Sequence, residues 1–457
     1  MESGMHRDGT LLAKVRASSP CPQKGSNSQP AVNSTVTPIE RHKRITLLFL
    51  KHASLRNAPP DEREARTLAE DLEKLGAPFA RAGRLLSVRG DLLPREILSA
   101  FARLDETRCP DDDEGAEPME IIDQVLEDEL GKKALRAFAT FHPLPHRFSG
   151  AGQVHLAVLH DGRHVAVRIQ RPKARQRIVR DLDTLAEIAA FIDDPSGRGG
   201  LHRFSRFVDR LRITTLRELD YRHEETALQD LREKLNGHSR LRVPLPVTEF
   251  CSSRVLTTEF IDGTEVWETP TRSSEHSKDL AEQLLSAYLD QILVHGLVHP
   301  QPHLENLLLT GEGELVITEA GGTLKLGAAT RPVFGFLLHA VCSNDAKATR
   351  EAAFRLGRPH ADDSIPEPEA FATDIREALR QETLRDRLRA VARASATAGR
   401  PFPMAICRIA DLFGNLSMSA EAIHPHHDTE RFIASHVWEH MEQIRENTVA
   451  FHSHSAA

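Results

Sequence analysis

The segment HPQPHLEN (299–306) packs two histidines, a glutamine and an asparagine into eight residues directly after an apolar helical stretch. That polarity beside a buried helix points to a reactive or metal-binding turn. Two imidazoles four residues apart meet on one face only of a helix, and Pro300 and Pro302 argue against helix here. No third ligand stands near His299 and His303, and with 24 histidines in the chain, clusters such as HPHHD (424–428) arise by chance. Metal capture by histidine is not expected. Gln301 stands where a catalytic turn of this shape would want an aspartate. An amide carries no charge and accepts no proton at neutral pH, so Gln301 cannot be a general base.

The elements around this turn follow from periodicity and punctuation. Residues 1–40 are rich in Ser, Pro, Asn and Gly and read as a disordered tail. PPDEREARTLAEDLEKLG begins with Pro and Asp, carries acids in its first turn and stops at Gly76, as a capped helix does. Two short helices follow, then the acidic break PDDDEGAEP (110–118) and the amphipathic MEIIDQVLEDELG. From about 147 the texture changes. QVHLAVL and HVAVRIQ flank HDGR, a hairpin signal. Helical stretches around 174–193 and 203–235 come next, then VTEF and RVLTTEF as a second hairpin around CSSR. The helix LAEQLLSAYLDQILVHG leads into HPQPHLEN, the strands NLLLT and ELVIT follow around GEGE, and from about 333 the chain is helical again.

The bulk numbers exclude several classes. With 40% hydrophobic and 27% charged residues and a net charge of −7, the chain has no broad nucleic-acid-binding face, and 5% aromatics leave few stacking platforms. The five cysteines (Cys21, Cys109, Cys251, Cys342 and Cys407) are odd in number and form no CxxC pair, which fits a reduced, cytosolic setting without thiolate zinc. No signal-peptide h-region follows Met1, and the apolar runs ITLLFL (45–50) and VFGFLLHAVC (333–342) fall short of the roughly 20 residues of a membrane span.

Strand hairpin, long helix, second hairpin, apolar helix, polar loop and a third hairpin ending in an acid is the layout of a protein-kinase-like fold. Phosphoryl transfer explains the recurring residues: a small-residue loop over the phosphates, a strand cation bridged to a helix Glu, a loop Asp, and an Asn plus an acid for the metal. At the level of residues the chain resembles the UbiB (AarF/ADCK) family of atypical kinase-like proteins. The carriers are LEKLGAPFARAGRLLSVRGDLLP, SGAGQVHLAVLHDGRHVAVRIQRP, RELDYRHEE, RVLTTEFIDG and HPQPHLENLLL, in order, from about 70 to 440. The resemblance implies an α+β, bilobal fold: a tail (1–40), a helical N-terminal extension (41–140), a small lobe with an antiparallel sheet (141–262) and a helical large lobe (263–457).

The departures from the family pattern are specific. Arg81 and Arg84 replace the lysine and glutamine of its KxGQ segment, and Arg168 replaces the strand lysine. Arg147-Phe148-Ser149 replaces an alanine-rich loop, followed by Gly150, Ala151, Gly152 and Gln153. Gln301 replaces the catalytic aspartate, Glu305 the following glycine, and Glu319-Ala320-Gly321 the DFG motif; Glu218, Glu224, His299, His303 and Asn306 are kept. The resemblance assigns Gly150, Gly152, Gln153, Arg168 and Glu224 to ATP or ADP, Gln301, Asn306 and Glu319 to the catalytic positions, and Asn306 with Glu319 to a weakened Mg2+ site. Glu224 is expected to pair with Arg168. Glu218, six residues earlier and turned away on the same helix, is expected to face Arg81, with Arg84 nearby at the cleft. Gln can still orient a nucleophile. The leading reading is thus a nucleotide-binding pseudokinase or very weak phosphotransferase or ATPase. An active ATPase or small-molecule or lipid kinase using Glu319 and Asn306 is the alternative, and a scaffold that binds no nucleotide is the third. By resemblance its partners are quinone- or lipid-pathway proteins near membranes. The C-terminal TVAFHSHSAA, where many bacterial relatives carry hydrophobic spans, suggests a soluble or peripherally associated chain.

Overall fold

Short turns of caps and glycines set the boundaries of an α+β architecture. The computed structural model describes residues 38–51, 61–104, 116–149, 152–193, 203–268, 274–300, 302–358 and 368–454. The expected tail lies outside the described residues up to 37, but the chain is helical from Pro38, because proline preorganises the first helical position. Residues 1–41 and 42–457 are separate units; the second is described here.

The N-terminal helices are α1 (Pro38–Lys51), α2 (Glu62–Leu75), α3 (Ala77–Leu86) and α4 (Arg95–Phe101). Asp61 caps α2 by accepting from the Glu64 amide at 2.7 Å, while the Glu64 carboxylate reaches back to the Asp61 amide. Helices α5 (Met119–Leu130) and α6 (Ala134–Ala137) follow. The first sheet holds β1 (Thr140–Phe141), β2 (Arg147–Ser149), β3 (Gly152–Val158) and β4 (His164–Gln170). Strands β3 and β4 run antiparallel through the HDGR turn from Gly152↔Gln170 to Val158↔His164.

Helix α7 (Pro172–Ile192) follows β4. The stretch expected as one helix over 203–235 is two: α8 (Arg203–Glu218) and α9 (Tyr221–Lys234). Asp220 is the reason, since its extended backbone and carboxylate cap α9 and stop helical propagation. Strand β5 (Leu241–Arg242) precedes the VTEF segment, which is not a strand. Thr248–Phe250 is a 3-10 turn, and upstream Pro246 makes only an isolated bridge to Thr258. Pro244 and Pro246 lack the N–H groups that a ladder needs. Strand β6 (Val255–Glu259) instead completes the first sheet beside β4, in the order β1-β3-β4-β6 with β2 also on β3.

After β7 (Thr264–Glu265) comes α10 (Glu275–Asp290), capped by Ser274 and extended by a π turn, Gln291–His295. Strand β8 (Leu297–Val298), β9 (Leu307–Leu309), β10 (Leu315–Ile317) and β11 (Leu324–Lys325) complete two smaller sheets, β5-β10-β9-β7 and β11-β8. The remaining helices are α11 (Thr330–Cys342), α12 (Ala346–Leu356), α13 (Pro368–Ala378), α14 (Leu384–Thr397), α15 (Met404–Ile423) and α16 (Thr429–His454). Apolar packing gathers in three clusters. One joins α10 to α11, α14 and α15. A second seals α2 and α3 against α7 and α8 through Leu72, Phe79, Leu182 and Leu211. The third lies between α5 and the first sheet. Among the described residues, no helix is long and apolar enough to cross a membrane.

Candidate functional site

Strand pairing places two cations on one face of the first sheet. Arg147 on β2 stands opposite Val154 on β3, and Val154 stands opposite Arg168 on β4, so the three side chains share a face. The Arg168 side chain is 10% exposed and forms an ion pair with Glu224 of α9. Its other terminal nitrogen lies 3.3 Å from Glu319, just beyond β10, while an Arg147 nitrogen lies 3.8 Å from the second Glu319 oxygen. Arg147 also donates to the Thr318 hydroxyl at 3.3 Å. Glu224 accepts from the Ala320 amide at 3.4 Å, tying α9 to the EAG turn. The Arg168 guanidinium sits 4.6 Å above the Tyr221 ring centroid.

Within this cluster burial and opposite charges work against one another. Burial works against the Arg168 charge, but the Glu224 and Glu319 carboxylates outweigh it and hold the proton above the ordinary guanidinium range. Burial raises the Glu224 carboxyl, Arg168 draws it down and Glu319 raises it again, and the net direction is up. Burial also pushes the Tyr221 phenol up to about 12, so it stays neutral. Gly152 is there for space: a Cβ would lie 2.5 Å from the Tyr221 hydroxyl and 3.3 Å from Arg168 Cγ.

The 299–306 loop is anchored near both ends. The His299 amide donates to Gln291 of the π turn at 2.9 Å, and Tyr288 bonds His299 Nδ1 at 2.9 Å. Burial pushes His299 down to about 3, so this imidazole is neutral and structural. Ser419 of α15 donates to the Pro302 carbonyl at 2.7 Å. Asn306 ends a 3-10 turn, and its carbonyl accepts from the Thr318 amide at 3.0 Å, which sets its backbone beside the segment after β10 that carries Glu319. Gln301, Gly150 and the Glu305 side chain lie outside the described residues.

A third constellation joins the N-terminal extension to the helices. Arg81 of α3 binds Glu218 through both terminal nitrogens, one at 2.7 Å, and Arg408 of α15 approaches the same carboxylate at 3.4 Å. Burial alone would raise the Glu218 carboxyl, but Arg81 and Arg408 hold it below its usual value. One turn on, Arg84 donates to the Leu104 carbonyl at 2.8 Å and lies 3.3 Å from Asp411, which Arg389 of α14 also meets at 2.8 Å. Gly322 abuts this network with φ of 71°, and a Cβ there would lie 2.7 Å from Glu218.

The structure therefore brings Arg168, Glu224 and Glu319 together and sets Arg81 on Glu218. Glu218 and Glu224 face different partners because they belong to different helices, not because of a turn within one. Gln153 is not brought to the cluster. It is one residue off the Val154 register, so it points through the opposite face, where it accepts from the Glu117 amide at 2.9 Å and meets His155 at 2.8 Å. Arg147, expected in the loop over the phosphates, lies instead on β2, paired with β3, and joins the first cluster; Tyr221, Arg389, Arg408 and Asp411 join these networks as further members. Tyr221, Arg389, Arg408 and Asp411 meet partners distant in sequence. For a divalent cation the donor set fits poorly, because each Glu319 oxygen already faces a guanidinium. Among the described residues no group of three His, Cys, Asp or Glu side chains could hold a metal ion.

Residues 112–353 match the ABC1 atypical kinase-like domain, more than half of the chain. The chain belongs to that family. It is 28% identical over 242 residues to the "Probable protein kinase UbiB" of Cellvibrio japonicus, covering 52% of this chain and 43% of that protein. It is 28% identical over 304 residues to the mouse (Mus musculus) "AarF domain-containing protein kinase 1", covering 65% and 56%. The chain spans about half the length of the curated relatives it matches. Among solved structures it resembles the Rv3197–erythromycin complex of Mycobacterium tuberculosis, with a TM-score of 0.51 at 18% identity over 83% of this chain and 94% of that one. The family match makes the fold kinase-like, and among the described residues it mixes helix and sheet with helix in the majority.

Proposed function

We propose that this ABC1-family chain is a nucleotide-binding pseudokinase, with at most very weak phosphotransferase or ATPase activity. The observation that carries this reading is the Arg168–Glu224–Glu319 cluster. A strand cation bridged to a helix acid is what a kinase-like fold uses to place nucleotide phosphates, and here it persists in a chain whose loop aspartate is Gln301. Gly152 lets Tyr221 pack close beside Arg168. Loss of a positioned base commonly costs about 10²–10⁴ in rate. The bilobal division near residues 140 and 262 belongs to this proposal, as does a supporting role in quinone or lipid metabolism at a membrane surface, taken from the UbiB resemblance.

Nucleotide-dependent thermal stabilisation and phosphate release from labelled ATP test the reading together. ATP or ADP should raise the melting temperature while phosphate release stays near background. Robust hydrolysis abolished by Glu319→Ala would contradict it and favour an active ATPase or kinase.

A further inference from the structure

Resting on the nucleotide reading above, we infer that Arg147 and Arg168 form a metal-independent phosphate clamp, with Glu319 as its displaceable counter-ion instead of a metal ligand. The two arginines stand in register across β2, β3 and β4, so the sheet aims both guanidiniums from one face at one point. That point holds the Glu319 carboxylate, one oxygen 3.8 Å from Arg147 and the other 3.3 Å from Arg168. Two anionic oxygens shared between two guanidinium forks is also how a phosphate is held. The Thr318 hydroxyl, 3.3 Å from Arg147, steadies the outer fork without neutralising it.

Charge decides against a dication here. In the pairs named, Arg147 and Arg168 face Glu224 and Glu319, two charges of each sign. A divalent ion on Glu319 would sit beside two permanent positive charges, one of them on a side chain only 10% exposed, where repulsion is weakly screened. A phosphate that displaces Glu319 keeps both arginines paired, and the freed carboxylate, 21% exposed, can turn to water. The buried Arg168–Glu224 pair stays in place throughout, so only the outer anion is exchanged.

Calorimetric titration of the full chain separates the ideas. ADP, ATP and inorganic tripolyphosphate are each titrated in EDTA and in excess Mg2+. Wild type should bind in EDTA at least as tightly as in Mg2+. Arg147→Ala should weaken binding in EDTA by roughly tenfold, the worth of one charge-assisted hydrogen bond. Arg147→Lys should recover only part of this, because an ammonium lacks the fork. Glu319→Gln should tighten binding in EDTA, by removing the competing anion. If this last variant does not fold, the two variants of Arg147, whose side chain is 29% exposed, decide. Binding that requires Mg2+, or Arg147→Ala without effect, overturns the clamp and leaves the nucleotide reading standing. Tripolyphosphate bound in EDTA with neither nucleotide bound keeps the clamp and removes that reading. No binding of any of the three removes both.

Discussion

Arg168 carries the most consequence of any single side chain, because its removal would leave Glu224, 6% exposed, as a buried anion. Breaking a buried pair from one side typically costs about 3–5 kcal/mol, whereas replacing both partners by apolar groups is often nearly neutral. Arg168→Met is therefore expected to lose about 3–5 kcal/mol in urea denaturation, and Arg168→Met with Glu224→Leu to recover most of it. Equal losses in the single and double variants would show that the pair is not coupled. The pairing was legible only through the family resemblance, since Arg168 and Glu224 lie on separate elements 56 positions apart and no local spacing links them. Gln153 was not, since strand period is two and a one-residue difference reverses the face. Gln301 reads directly from the sequence as a side chain that accepts no proton at neutral pH.

At the scale of elements, α3 is latched by Arg81 on Glu218. The Glu218 carboxyl is held below its unfolded value in the folded chain, so its contribution is complete above about pH 4.3 and fades as the pH falls through the folded value. Melting temperatures of wild type and Glu218→Gln should therefore differ by a constant amount from pH 8 to about pH 5 and converge on further acidification. A gap that widens on acidification would contradict this account. Gly322→Ala combines a positive φ of 71° with a Cβ 2.7 Å from Glu218, and an expected loss of about 1–3 kcal/mol by denaturation would check both. The β3–β4 hairpin and the capped α2 read directly, because an Asp-Gly turn and a capping box are local chemistry. The VTEF segment and the break between α8 and α9 depart from the hydrophobic pattern because Pro246 removes a ladder donor and Asp220 caps a new helix.

At the scale of the molecule, the N-terminal helices are part of the core. Phe79 and Leu72 pack with Leu182 and Leu211 of α7 and α8, and Arg84 reaches Asp411, which Arg389 also binds. Deleting residues 1–104 would expose that apolar face and strand the Arg389–Asp411 pair. The truncated protein is expected in aggregates by size-exclusion chromatography, and a monodisperse product would contradict the shared core. None of this network was legible in the sequence, because Arg84 and Asp411 are more than 300 positions apart and no local spacing links them.

The central claim is that a kinase-like fold without its catalytic base still holds a nucleotide. Thermal unfolding of the full chain with ATP or ADP at millimolar concentration tests it most directly. A ligand at about 100 times its Kd adds about 2.7 kcal/mol of stability, so a rise of a few degrees, absent in Arg168→Ala, is the expected result. No shift with either nucleotide, with and without Mg2+, would contradict it.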